Sequence, residues 1–153
     1  MPSTPGAVVL LVQGDDDSRE MYAEFFRYEG FLPVPVSNAR DGLTVARKAD
    51  VIVTSLLLPG DIDGIEFIAR LKRDERTKRI PLIVLTACAW KSDRDRAEEA
   101  GCDVFLAKPC LPDLLLRECG CCSQHRSFVT MAGCRLRRTG LATCRTVVNV
   151  LSI

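Results

Sequence analysis

The sequence has little that would anchor it in a membrane or attach it to a polyanion. Its longest apolar run, Ala7 to Val12, is six residues, far short of the ~18 needed to span a bilayer. No basic stretch precedes that run, so a secretory signal is not expected. Net charge is nearly absent: 21 Lys and Arg face 20 Asp and Glu, giving +1. A chain so balanced is not, as a whole, a nucleic-acid-coating protein. Histidine occurs once, as His125, and tryptophan once, as Trp90. What is present suits one globular domain. The 153 residues are 47% hydrophobic and 27% charged, and a chain of this size buries a core without disulfides or metal. The default compartment is the cytoplasm. Of the eight cysteines, Cys88, Cys102 and Cys110 read as small buried hydrophobes.

From Val8 to about Cys119, short apolar runs alternate with helical patterns. Val8–Val12 is branched, continuous and short, as a strand buried on both faces should be. Asp17 with Glu20 three later predicts a helix start, and Met21, Tyr22, Phe25 and Phe26 give that helix an apolar stripe ending at Gly30. Phe31 to Val36 is a second strand, which Pro33 and Pro35 confine to an edge-like place. A second helix is expected over 39–49, a third strand from Val51 to Ser55 or Leu56, and a third helix with Ile65, Ile68 and Leu71. Strands over 82–85 and 104–106 bracket a polar helix from Lys91 to Glu99, and a fifth helix is expected from Pro112. Five strand-then-helix units predict a doubly wound parallel sheet with helices on both faces. In such a sheet the ligand site lies at the carboxyl ends of the strands.

Those ends carry Gln13, Gly14 and Asp15–Asp17 after the first strand, Ser55 after the third, Thr86 at the fourth and Lys108 after the fifth. Carboxylates, hydroxyls and an ammonium on one rim are the chemistry of a phosphoryl site. The segments VLLVQGDDDSREMYAEFF, ADVIVTSLLLPGDIDGIEF, IPLIVLTACA and AGCDVFLAKPCLPDLL resemble the receiver domain of bacterial response regulators, the CheY-like, flavodoxin-like (βα)5 fold. The resemblance covers residues 8 to about 118. It implies a part in two-component phosphorelay signalling, with a histidine kinase or another signalling protein as partner and no enzymatic activity of its own. It puts Thr86 and Lys108 at the positions that sense and neutralise the phosphoryl group, and Phe105 at the aromatic switch position.

Two features depart from that pattern. The resemblance implies an acidic, magnesium-binding pair where this chain has Gln13 and Gly14, and an acceptor aspartate where it has Ser55. The loop PGDIDG is one residue longer than the usual form. A serine hydroxyl is a weak nucleophile without a base, and the only histidine lies far along the chain. With two carboxylates lost, no cofactor is expected. Asp15 and Asp16 are the residues left to bind Mg²⁺ weakly, although a helix cap is their simpler role. Lys108, without a phosphoryl group, is expected to pair with Asp15. Trp90 is expected to pack.

Beyond Glu118 the composition changes. Residues 119–153 hold five arginines and no acid, whereas residues 1–118 carry 16 basic and 20 acidic groups. The tail's Cys119, Cys121, Cys122, His125 and Cys134 lack the clean second pair of a zinc site, and its arginines lack the aromatic interleaving of a nucleic-acid binder. The division expected is an extension over 1–7, a receiver-like domain over 8–118 and an irregular tail over 119–153. The expected function is a pseudo-receiver acting by protein–protein contact. The alternatives are a magnesium-dependent phosphoreceiver with a displaced site, and a flavodoxin-like ligand-binding domain, which the three aspartates after the first strand oppose.

Overall fold

The computed structural model describes residues 6–87 and 90–108. The expected fifth helix, Cys88, Pro109, Cys110 and the whole tail lie outside the described residues. Five strands run β1 (Val8–Val12), β2 (Leu32–Val36), β3 (Val51–Thr54), β4 (Leu82–Thr86) and β5 (Val104–Ala107). They form one parallel sheet in the order β2-β1-β3-β4-β5. Helices α1 (Asp16–Tyr28), α2 (Ala39–Val45), α3 (Gly64–Arg73) and α4 (Lys91–Ala100) connect them. This is the doubly wound, flavodoxin-like arrangement the alternation of runs predicts.

Period-two alternation divides the sheet's side chains between two cores. Leu10, Val12, Ile52, Leu82, Val84 and Phe105 face one way, with Phe67, Ile68 and Leu71 of α3 and Ala97 of α4. Val9, Leu11, Val51, Val53, Ile83, Leu85 and Leu106 face the other, with Tyr22, Ala23 and Phe26 of α1. β3 and β4 are buried throughout, which is why their sequences show no polar alternation. Phe26 and Phe31 meet edge to face, with ring centroids 5.6 Å apart.

β2 is an edge strand, as its prolines predict. The Leu32 N–H donates to the Ala7 carbonyl at 2.9 Å, and the Gln13 N–H to the Val36 carbonyl at 3.1 Å. Leu32, Val34 and Val36 therefore turn their peptide groups toward β1. Pro33 and Pro35 fall on the alternate parity, where an N–H would point to solvent. Each proline removes a donor from the open edge without removing one from the sheet.

Two helix boundaries differ from the sequence expectation. Asp15, not Asp17, caps α1, and its carboxylate accepts from the Ser18 N–H at 2.9 Å. The turn off β1 takes the first aspartate of the run, leaving Asp16 and Asp17 in the first turn, where negative charge favours the helix. The helix expected over 39–49 is α-helical only to Val45 and then tightens to a 3-10 turn, Ala46–Lys48. Gly42, Thr44 and Val45 are weak helix formers. Gly42 has its own reason, since a Cβ there would lie 3.0 Å from the Phe67 ring.

Candidate functional site

The connections place Gln13, Ser55, Thr86 and Lys108 along one rim, at the carboxyl ends of β1, β3, β4 and β5. Ser55 is tied to the end of β1 by its N–H, which donates to the Val12 carbonyl at 3.0 Å. The Lys108 N–H donates to the Thr86 carbonyl at 2.9 Å and so sets the start of the lysine beside β4.

The principal contact on this rim is between side chains. Lys108 Nζ donates to Gln13 Oε1 at 3.1 Å. β3 and β4 lie between the strands that carry these residues, a span of roughly 14 Å at the usual strand spacing. Only two long side chains reach across it. Gln13 is 1% exposed. Its Nε2 makes a long contact of 3.5 Å to the Leu85 carbonyl, and its backbone carbonyl accepts from Arg19 at 2.8 Å. The amide is thereby held over β4. Burial lowers the Lys108 pKa below the ordinary lysine value, an effect that the charge of Asp15 only partly offsets.

The expected Lys108–Asp15 ion pair does not form among the described residues. Asp15 turns its carboxylate to the Ser18 N–H, and these hydrogen bonds hold its pKa below the usual value. Asp16 is exposed and pairs with Arg19. Ser55 is 7% exposed, and its Oγ accepts from the Leu57 N–H at 3.3 Å. Thr86 is fully buried and Phe105 lies inside the core at 3% exposed. Trp90, expected to pack, is 76% exposed, because it stands at the solvent-facing start of α4.

Gly14 is where the loop after β3 meets β1. A Cβ on Gly14 would lie 2.9 Å from Pro59 Cδ, so the loop occupies the space a side chain at 14 would need. Gly64 fixes the other end of that loop. A Cβ there would overlap the backbone of Ser55 and Leu56, so only glycine lets α3 start this close to β3. An open depression of about 430 Å³ lies alongside, walled by Leu56, Leu57, Leu58 and Pro59 with Asp15 and Asp63 at its rim. Neither Ser55 nor Lys108 lines it. Sequence reasoning missed Pro59, Gly64 and Arg19. The extra residue in PGDIDG was the one available signal that this loop sits differently.

These residues do not fit the magnesium ion that receivers of the usual pattern hold. The ion needs near-octahedral oxygen ligands. Beside Asp15, whose carboxylate caps α1, this rim offers a neutral amide already bonded to lysine, a glycine without room for a side chain, and a serine. Among the described residues there is no group of three His, Cys, Asp or Glu able to hold a metal.

A parallel 2-1-3-4-5 sheet with a lysine and two hydroxyls at its carboxyl rim, and an aromatic buried in its last strand, is the arrangement of a receiver-type signalling domain. The response regulator receiver domain model matches residues 9–119. The chain belongs to that family. It is 34% identical over 137 residues to the phosphate regulon transcriptional regulatory protein PhoB of Pseudomonas aeruginosa. That match covers 88% of this chain and 54% of PhoB, so the chain spans about half the relative's length. A putative response regulator from Chloroflexus aurantiacus superposes with a TM-score of 0.72 at 29% identity, over 78% of this chain and 98% of that one. The receiver domain of a Pseudomonas aeruginosa sensor histidine kinase, solved with magnesium in its active-site cleft, gives 0.72 at 26% identity with the same coverage. No helix among the described residues is long and apolar enough to cross a membrane.

Proposed function

We propose that this chain is a pseudo-receiver: it takes part in two-component signalling through protein–protein contacts, without aspartyl phosphorylation. The observation that carries the reading is the Lys108–Gln13 hydrogen bond of 3.1 Å. In a working phosphoreceiver this lysine serves carboxylate and phosphoryl oxygens. Here one of its donors goes to a neutral amide oxygen. Ser55 stands at the acceptor position, and among the described residues the partner of its Oγ is the Leu57 N–H rather than a base. Pro59 fills the space beside Gly14 that the second acid of the pair would use. The displaced-site alternative needs Asp15 or Asp16 as a metal ligand, but one caps α1 and the other is bound to Arg19.

Partners on this reading are a histidine kinase or another signalling protein that recognises the receiver surface rather than its phosphorylation state. The test is incubation of the protein with a small-molecule phosphodonor and Mg²⁺, read by intact mass. No stable phosphoryl adduct is expected. Stoichiometric labelling that disappears in Ser55→Ala overturns the reading.

A further inference from the structure

We infer that Lys108 is an acylation site, taking the acyl group of small acyl phosphates onto Nζ. This rests on the pseudo-receiver reading, since it needs the rim free of metal and of a carboxylate partner for the lysine.

The geometry separates Lys108 from most other lysines of the chain. Lys72 is bonded to Asp103 at 3.1 Å, Lys78 to Glu75 at 2.6 Å and Lys91 to Asp95 at 2.9 Å. Each of these ammonium groups has a carboxylate that stabilises its charge. Lys48, on the exposed 3-10 turn, is the solvated reference. Lys108 is partly buried, and its side-chain partner is the Gln13 amide. An amide oxygen also accepts from a neutral amine and carries no charge, so it orients Nζ while holding the proton on it less firmly than a carboxylate does. Among the described residues, the charges that face this rim are Asp15 at the start of α1 and Arg19 one turn on. The first has its carboxylate turned to Ser18, and the second donates to the Gln13 carbonyl. Burial, which the charge of Asp15 only partly offsets, raises the share of uncharged, nucleophilic amine.

The step balances without a cofactor. The lone pair of neutral Nζ attacks the acyl carbon of the acyl phosphate and an N–C bond forms. The bond from that carbon to the phosphate oxygen breaks, and its electron pair leaves with inorganic phosphate. The surplus Nζ proton passes to solvent. The product is an uncharged amide beside Gln13. A donor that would phosphorylate an ordinary receiver thus modifies this one at the lysine, and removes the positive charge that Lys108 brings to the rim.

The test uses the full chain with limiting acetyl phosphate at neutral pH, with and without Mg²⁺. Acetylation at Lys48, Lys72, Lys78, Lys91 and Lys108 is quantified by peptide mass spectrometry. Each unit by which the lysine pKa falls gives tenfold more free amine, and lower basicity takes back about half of that logarithm. Lys108 is therefore expected to react faster than Lys48. Gln13→Glu, which puts a carboxylate on Nζ, is expected to remove that advantage, and Mg²⁺ to leave it unchanged. A Lys108 no faster than Lys48, or unaffected by Gln13→Glu, overturns the acylation inference alone. Protection of Lys108 by Mg²⁺ overturns the metal-free reading on which it rests.

Discussion

Gly14→Ala tests whether the β3–α3 loop has closed over the missing acid. The new Cβ lies 2.9 Å from Pro59 Cδ, about 1 Å inside ordinary carbon–carbon contact. Pro59 Cδ belongs to a ring fused to the backbone, so it cannot rotate away, and the loop itself must shift. Overpacking of this kind costs about 1–3 kcal/mol, or roughly 4–12 °C in Tm for a domain of this length. Gly14 does not have a positive φ, so backbone strain adds nothing and the cost is steric. Gly14→Asp carries the same Cβ and is expected to lose as much stability without gaining magnesium affinity. Urea denaturation of Gly14→Ala, Pro59→Ala and the double variant separates the contact from other effects. The Gly14→Ala penalty is expected to shrink by 1 kcal/mol or more once Pro59 is gone. Equal penalties in both backgrounds refute the contact, and a Gly14→Asp protein that is as stable as wild type and binds Mg²⁺ tightly refutes the reasoning behind it.

Gly64→Ala is expected to be among the most damaging small substitutions. Its Cβ meets the Ser55 and Leu56 backbone, and a fall in Tm with altered amide shifts at Ser55 checks it. Asp103→Ala removes the carboxylate that accepts from the Leu82 N–H at 2.8 Å and from Lys72 at 3.1 Å. Leaving that N–H unpaired should cost about 1–3 kcal/mol in denaturant titration. The Asp15 carboxylate has a folded pKa below its ordinary value of 3.8, chiefly through its hydrogen bonds with Ser18. Its contribution is therefore present above that ordinary value and is lost as pH falls through the lower folded one. Asp15→Asn keeps a capping acceptor without a titrating group, so its stability should fall less steeply in this acid range. Pro33→Val with Pro35→Val restores two outward N–H groups to the β2 edge, and more self-association is expected by sedimentation velocity.

Much of the fold is legible because burial on both faces leaves a direct trace. VVLLV is apolar throughout, and VIVT and LIVLT are so up to a final buried threonine, as a central parallel strand needs. Pro33 and Pro35 mark the edge for an equally local reason, the missing N–H. The rim is only half legible. That Gln13, Ser55, Thr86 and Lys108 share one end of the sheet follows from the order of elements. Which of them touch does not. Asp15 is one residue from the expected acid and carries the right charge, yet Ser18 lies three residues on and claims it first. Gln13 reads as the loss of an acid, and its length, which lets it span two strands, matters only once β1 and β5 have positions. Pro59 reaches Gly14 from 45 residues away, a contact no local pattern encodes.

On the pseudo-receiver reading this rim is complete without a metal, with Gln13 holding Lys108. An NMR titration with Mg²⁺, following the Gln13 side-chain amide and the backbone amides of Gly14, Asp15 and Ser55, tests it most directly. These signals are expected not to move in a saturable way through millimolar Mg²⁺, and Gln13→Ala is expected to shift the Lys108 signals whether or not Mg²⁺ is present. Saturable shifts at Gly14, Asp15 and Ser55, with release of the Gln13 amide, contradict it.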